Sequence, residues 1–362
     1  MNNLIINSKN LNHNIKIIKK LAKTAKVCAV VKGEAYGHGM IEIANLIADK
    51  VDYFAVSTVK EAIELRKSNI KNNILVLGYI LPNNVLEAID FNLEITIGSQ
   101  NQLKALIKHL KAKNNKIKIH IKKDSGLNRY GYKTKEELNN ILDYLKRHKK
   151  YFEVVGFYTH FVITDENCEE NILAQSIAYE NDYKLVREAG FSPITHAASS
   201  TTLFLTKKYQ YDMVRVGMAL HGYCGYEEDL RKVMSIESHI TDIKVVKKGD
   251  SIGYGEKNTI SKDMVRALVP IGYGYGIDSI LSNKSYVLIK GKACSIIGEM
   301  SMDCMYVDIT NIPNLKIGEK VIFIGQDNKE ELTATDHARA LGVYSCEIMS
   351  HINRSRFTIK IK

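Results

Sequence analysis

VCAVVKGEAYGHG, residues 27–39, is the stretch from which the rest of the chain can be read. Its apolar run, Val27 to Val31, stops abruptly at Lys32, and a turn rich in glycine follows (Gly33, Gly37, Gly39), with Tyr36 four residues past the lysine. A short β-branched run bounded by glycines reads as a buried parallel strand. A lysine at the C-terminal lip of such a strand stands where α/β barrels carry their chemistry. An unperturbed lysine has a pKa of about 10.4, so it is a poor nucleophile until burial lowers that value or imine formation replaces the proton. Lysines are mostly exposed, so strand and lysine alone also fit a surface side chain. Lysine, glycines and tyrosine together are what a pyridoxal phosphate (PLP) site needs: an amine for the aldehyde and a nearby anchor for the phosphate.

Working outward, strand-like and helix-like segments alternate on both sides of this stretch. Strands are expected at 27–32, 53–58, 74–79, 94–99, 116–123, 154–160, 194–199 and 212–217, with helical patterns at 59–68, 100–112, 134–148 and 169–189 among the intervals. Residues 3–6 (NLII) read as a further short strand, and Ser8 can cap a helix whose Leu11, Ile15, Ile18 and Leu21 share a face. Eight βα units predict an α/β fold, a (β/α)8 TIM-type barrel. A doubly wound sheet is the structural alternative, but no G-x-G-x-x-G follows the first strand, which counts against a dinucleotide fold. From 234 onward the pattern changes to turn-punctuated strands such as MSIESHITDIKVV and SYVLIKGKACSIIGEM, interrupted by one helical pattern at 333–341. The expected division is therefore a barrel over 1–226 and a mostly-β domain over 227–362.

Length and composition bound the function classes. At 362 residues with 45% hydrophobic content, the chain suffices for two domains and a sizeable core. No apolar run reaches the ~18 residues of a membrane span and the start lacks a signal peptide's blocks, so a cytoplasmic enzyme is expected. The six cysteines form no C-x-x-C pair, which indicates neither a zinc site nor a disulfide framework. A net charge of +11 could suggest nucleic acid, but the lysines are spread along the chain, as a compositional bias would leave them.

The stretch from Lys32 to Gly39 resembles the PLP-lysine motif of alanine racemases, K-A-N-A-Y-G-H-G, with Gly33 and Glu34 in place of Ala-Asn. The resemblance extends from about residue 5 to 356. KIKIHIKKDSGLNRYGY, residues 116–132, is similar to the family's K-x-D-T-G-M-x-R-x-G and matches it at Lys122, Asp124, Gly126, Arg129 and Gly131. Tyr158-Thr159-His160-Phe161 is similar to Y-T-H-F, His196-Ala197-Ala198-Ser199-Ser200 to H-x-A-N-S, and Arg215-Val216-Gly217 to R-P-G or R-F-G. In the second domain Gly253-Tyr254-Gly255 resembles S-Y-G, and GEMSMD (298–303) resembles G-x-x-C-M-D.

The resemblance implies roles. Lys32 and Tyr254 would be the catalytic bases on opposite faces of the substrate, Tyr254 reaching in from the partner subunit of a homodimer. Lys32, Tyr36, His160, Ser200, Arg215, Gly217 and Met218 would hold PLP, with Arg215 facing the pyridine nitrogen and the Gly217 and Met218 N–H groups on the phosphate. Arg129 and the backbone N–H of Met302 would take the substrate carboxylate, and Lys122 could be carbamylated to give Arg129 an anionic partner. His160 and Arg215 are the cationic groups expected to favour a phenolate at Tyr254. The implied reaction is interconversion of L- and D-alanine for cell-wall peptidoglycan precursors, without metal, nucleic acid or membrane. The departures from the pattern are Ser199 for Asn, His221 and Tyr275 for the usual Tyr and Asp, and Cys346 in Ser345-Cys346-Glu347, where the family has S-Y-E. Cys346 is smaller than the expected ring, so a serine or broad-specificity racemase is the alternative. A non-catalytic PLP-binding barrel would lack the second domain, and a PLP decarboxylase of this barrel type would pair the pyridine nitrogen with an acid rather than Arg215.

Overall fold

Eight parallel strands close into a barrel in the chain's computed structural model, which describes residues 2–111, 116–163, 168–225, 229–254 and 258–362. The first strand of the chain, β1 (Asn3–Ile6), is outside it. The barrel runs β2 (Lys26–Val30), β3 (Tyr53–Val56), β4 (Asn73–Val76), β5 (Glu94–Ile97), β6 (Ile117–Lys122), β7 (Phe152–Tyr158), β8 (Ile194–His196) and β9 (Met213–Val216), and β9 pairs back onto β2. All eight expected strands are present. Their expected C-terminal ends ran one to three residues too far, because the polar residues there belong to the loops that carry the site.

The helices between them form where the sequence caps them. Thr58 and Glu61 make a reciprocal capping box before Val59–Lys67, and Thr134 and Glu137 make another before Lys135–Arg147. Their apolar faces bury Leu65, Leu138, Ile141 and Leu145 against the outward side chains of the strands, such as Phe54, Val76, Ile95 and Ile119. A smaller group, Cys28, Val30, Tyr53, Ala55, Leu75 and Met213, packs together as a cluster of its own.

The second sheet has the order β11–β12–β15–β14–β13–β16–β10–β1–β18, with β17 beside β16. Its strands are β10 (Met234–His239), β11 (Asp242–Val246), β12 (Met264–Val269), β13 (Tyr286–Ile289), β14 (Lys292–Ile297), β15 (Met305–Asp308), β16 (Lys320–Asp327), β17 (Glu330–Leu332) and β18 (Thr358–Ile361). β1 lies between β10 and β18, antiparallel to one and parallel to the other, so the chain begins in this sheet before entering the barrel. The expected division at 226/227 falls on residues outside the described set. Among the described residues two α-helices interrupt the strands rather than the one expected. Ala334–Leu341 corresponds to the pattern at 333–341, and Ser345–His351 is added to it. At 7 residues, the second is too short for helical periodicity to stand out.

That short helix matters for the site because it packs on the turn after Lys32. A Cβ on Gly37 would lie 1.9 Å from the Met349 carbonyl oxygen, so only glycine allows the contact. Arg354 completes the joint by pairing with Glu34 (3.1 Å) and Glu42 (2.6 Å). The second domain thus braces the barrel's first βα loop.

Candidate active site

The loop that follows β2 is a left-handed turn. Gly33, Glu34, Ala35, Tyr36 and Gly37 all have positive φ, between 51° and 80°. Three of the five carry side chains, each at a cost of roughly 1–2 kcal/mol. Such strain persists only where surroundings over-determine it. Here Gly33 N–H donates to Glu61 Oε1 (2.7 Å), Ala35 N–H to the Val31 carbonyl (2.9 Å), and Gly39 N–H to the Glu34 carbonyl (2.7 Å). His38 is buried and its Nδ1–H donates to the Ala35 and Tyr36 carbonyls, each at 3.1 Å. Its ring stacks 3.8 Å from that of His221, which in turn lies 5.8 Å from Tyr36. His221, a departure from the expected pattern, therefore builds the floor beneath the turn. The result is that Lys32 and Tyr36 both point into the barrel mouth.

There they line a cavity of about 610 Å³ together with Lys122, Arg129, Tyr130, Tyr158, His160, Ser199, Ser200, Arg215, Gly217 and Met218. Four of its lining side chains are Lys or Arg (Lys32, Lys122, Arg129, Arg215) and none is acidic. Burial lowers the Lys32 pKa, helped by the Arg129 charge, while Glu61 opposes the shift. The Lys122 amine is lowered to about 8 by burial and by Arg129 and Arg215. Its Nζ lies 5.2 Å and 5.7 Å from the Tyr130 and Tyr158 ring centres. Asp124 does not neutralise the Arg129 guanidinium. Its carboxylate accepts the backbone N–H groups of Gly126, Asn128 and Arg129, which shapes the loop instead.

At one end of the cavity, Ser200 Oγ accepts from Gly217 N–H (3.1 Å) and Ala219 N–H (3.2 Å), tying strand end and loop into a cradle. A Cβ on Gly217 would lie 2.6 Å from the Tyr36 hydroxyl, so the tyrosine is seated against bare backbone. Ser199 caps the following turn through Thr202 N–H. At the floor, the buried Arg215 lies 5.1 Å over the Tyr158 ring, and its Nη2 donates to the Thr159 (2.7 Å) and Ala197 (3.1 Å) carbonyls. Its Nη1 donates to His196 Nδ1 at 2.9 Å.

His160 needs a correction. Burial, then the charges of Arg215, Arg129, Lys122 and Lys32, push its pKa down to about 3, so the ring is neutral and is not the cationic group expected. Tyr254 and Met302 are not among the cavity's lining residues, and their side chains are 72% and 51% exposed on the second domain. Gly255 lies outside the described residues. Cys346, half buried in the short helix, is also not a lining residue, although it is close enough to Lys32 for their charges to be felt; burial raises its thiol. Tyr275 has a structural place, edge-on to Phe357 and beneath Arg356.

Sequence reasoning passed over Glu94 and His120, buried behind His196 in the barrel. A carboxylate and an imidazole inside otherwise apolar strands, EITI and IKIHIK, were the available signal.

Comparison with known proteins gives one family. The family signature "Alanine racemase, N-terminal domain" matches residues 6–225, and "Alanine racemase, C-terminal domain" matches 233–359. An alanine racemase of Streptococcus uberis is 34% identical over 347 residues, 93% of this chain and 91% of that protein. An amino-acid racemase of Enterococcus faecalis is 33% identical over 96% of this chain, which spans 50% of that longer protein. Among solved structures, the alanine racemase of Clostridium difficile 630 superposes with a TM-score of 0.91 at 32% identity, covering 99% of this chain and 95% of that one.

Proposed function

The chain belongs to the alanine racemase family, and on that premise we propose that it interconverts L- and D-alanine with pyridoxal phosphate held in the barrel cavity. The observation that carries this reading is the cavity's charge: four cationic side chains and no acid. Such a lining suits a ligand set bearing a phosphate and a carboxylate. Its volume, about 610 Å³, is that of a cofactor pocket. Tyr36, Ser200 and the Gly217 and Met218 backbone would hold the phosphate, Lys32 the aldehyde carbon, and Arg215 the pyridine nitrogen. His160, neutral, would lie against the ring.

The cofactor supplies an electron sink that acidifies the substrate's α-C–H. The protein's own residues then decide the stereochemistry. Lys32, with its pKa lowered by burial, takes or gives a proton at Nζ on one face. The partner subunit's Tyr254 would do so at its hydroxyl on the other, which requires a homodimer. The exposure of Tyr254 and Met302 on the second domain supports that assembly, since a second copy would cover them. Arg215 has donors only, so it leaves the pyridine nitrogen unprotonated and restrains side reactions. Arg129 and Met302 N–H would receive the substrate carboxylate. Lys122, with its pKa lowered to about 8, has a neutral fraction at cellular pH able to take up carbon dioxide and release a proton, which would give Arg129 an anionic partner. The product serves cell-wall precursors, as the family implies, and the proposed location is the cytoplasm; among the described residues no helix is long and apolar enough to cross a membrane.

A wider substrate range is the second reading, favoured by Cys346 and Ser199. Incubating the protein with PLP and single amino acids in D₂O and measuring α-proton exchange tests both. Alanine exchanging fastest supports the first reading, and equal rates for serine transfer support to the second. No exchange with any amino acid contradicts both. Borohydride trapping with peptide mapping checks the cofactor site independently, and a label on any lysine other than Lys32 would overturn it.

A further inference from the structure

Arg215 is buried and forms no direct ion pair with a carboxylate among the described residues. A buried guanidinium without a counter-charge is strongly disfavoured. The counter-charge is present at a distance. Arg215 Nη1 lies 2.9 Å from His196 Nδ1, His196 Nε2 lies 2.9 Å from His120 Nδ1, and His120 Nε2 lies 2.7 Å from Glu94 Oε2. All four residues are buried in the barrel.

The chemistry of the ends fixes the direction of the chain. A guanidinium only donates, so His196 Nδ1 must be bare and its proton must sit on Nε2. That proton needs an acceptor, so His120 Nδ1 is bare and His120 Nε2–H donates to the carboxylate. A chain with a donor-only cation at one end and an acceptor-only anion at the other has one self-consistent arrangement. The scaffold makes room for it. A Cβ on Gly156 would come 1.8 Å from His120 Nδ1, and the His196 ring stacks 4.6 Å from Tyr158 at an interplanar angle of 7°.

We propose that Glu94 is a positioning residue for Arg215, acting through His120 and His196 to fix their tautomers and to balance the buried guanidinium from the opposite side of the barrel. Glu94 touches neither cofactor nor substrate. Its effect is to commit one Nη1 hydrogen of Arg215 to His196, while the Thr159 and Ala197 carbonyls take Nη2, so that the guanidinium is held in a single orientation at the cavity floor. The relay stands on geometry alone; only its consequence for catalysis rests on the proposed racemase function.

The test is the protonation pattern of the two imidazoles in the holoenzyme, read from magic-angle-spinning ¹⁵N spectra of histidine-labelled protein. The expected result is a single proton on Nε2 of both His120 and His196. A proton on Nδ1 of either ring would overturn the proposal. Glu94→Gln keeps the side chain's shape, removes the charge and can donate as well as accept. It is expected to mix the His196 tautomers and to lower kcat/KM for alanine by about 10–100-fold, by analogy with the loss of outer partners of metal-binding histidines. A folded variant with unchanged His196 signals and unchanged kcat/KM would overturn the proposal, and if the variant does not fold the wild-type spectrum decides. Wild-type protein with the expected tautomers but no racemisation would contradict the proposed function and leave the relay standing.

Discussion

The two residues proposed to move protons occupy opposite physical states. Lys32 lies in the barrel mouth, its pKa lowered by burial, on a strained turn that the second domain braces. Tyr254 lies on the surface of the second domain, 72% exposed. One chain therefore carries a finished half-site and an unfinished one. The lining of the barrel half, with its cradle, cation cluster and buried relay, comes from the barrel's own strands and loops. The other half, with Tyr254 standing in solvent, has chemistry without an enclosure. On the proposed shared site, assembly would bring Tyr254 close to the barrel's cations, above all Arg215.

The largest effect on this contrast should come from removing the exposed group. Tyr254→Phe is expected to leave PLP bound, with an unchanged cofactor absorbance, and to reduce racemisation by about 10²–10⁴-fold, the range of a lost general base. Activity within a few-fold of wild type would break the comparison, because the exposed tyrosine would then be a surface residue.

Acid should separate the two domains next. His38, His160, His196 and His221 in the barrel are held neutral by burial, His38 at about 4 and His160 at about 3, whereas among the described residues the second domain has two histidines lowered by burial, His337 in its helix, at about 4, and the partly exposed His239 in β10. Each folded pKa lies below the unfolded value of about 6.5, so below that pH the unfolded chain binds protons that the folded one refuses. Stability present above pH 6.5 is thus lost as pH falls towards 4. Hydrogen exchange at pH 7 and pH 5, corrected for intrinsic rates, should report barrel peptides losing protection before those of the second sheet. Equal loss in both would contradict the assignment of acid sensitivity to the barrel's histidines.

The smallest effect is expected at the joint. Cys346 is close to Lys32 but not among the cavity's lining residues, so Cys346→Tyr should shift the alanine-to-serine ratio of kcat/KM towards alanine by about 10-fold or less. An unchanged ratio would remove Cys346 from the determinants of substrate choice.

Much of the barrel was legible in the sequence because buried parallel strands are short apolar runs, and these were found at all eight places. What escaped was whatever depends on partners distant in the chain. Asn3–Ile6 was legible as a strand, but nothing in its residues specified pairing with β10 and β18. Lys32, Tyr36, Ser200 and Arg215 could be nominated from motifs and do converge on one cavity. Gly33 and Gly37 hinted at a turn, yet Glu34, Ala35 and Tyr36 in left-handed conformation could not be anticipated from residues that ordinarily avoid it. Glu94 and His120 escaped because inward positions on different strands meet only when the barrel closes.

The most direct measurement mixes two inactive proteins. Lys32→Ala supplies an intact Tyr254, and Tyr254→Phe supplies an intact Lys32. If each site is built from two copies, co-refolding equal amounts should restore about a quarter of wild-type activity, since random pairing makes half the dimers mixed and each mixed dimer has one complete site. Activity no greater than the sum of the two parents would contradict the account.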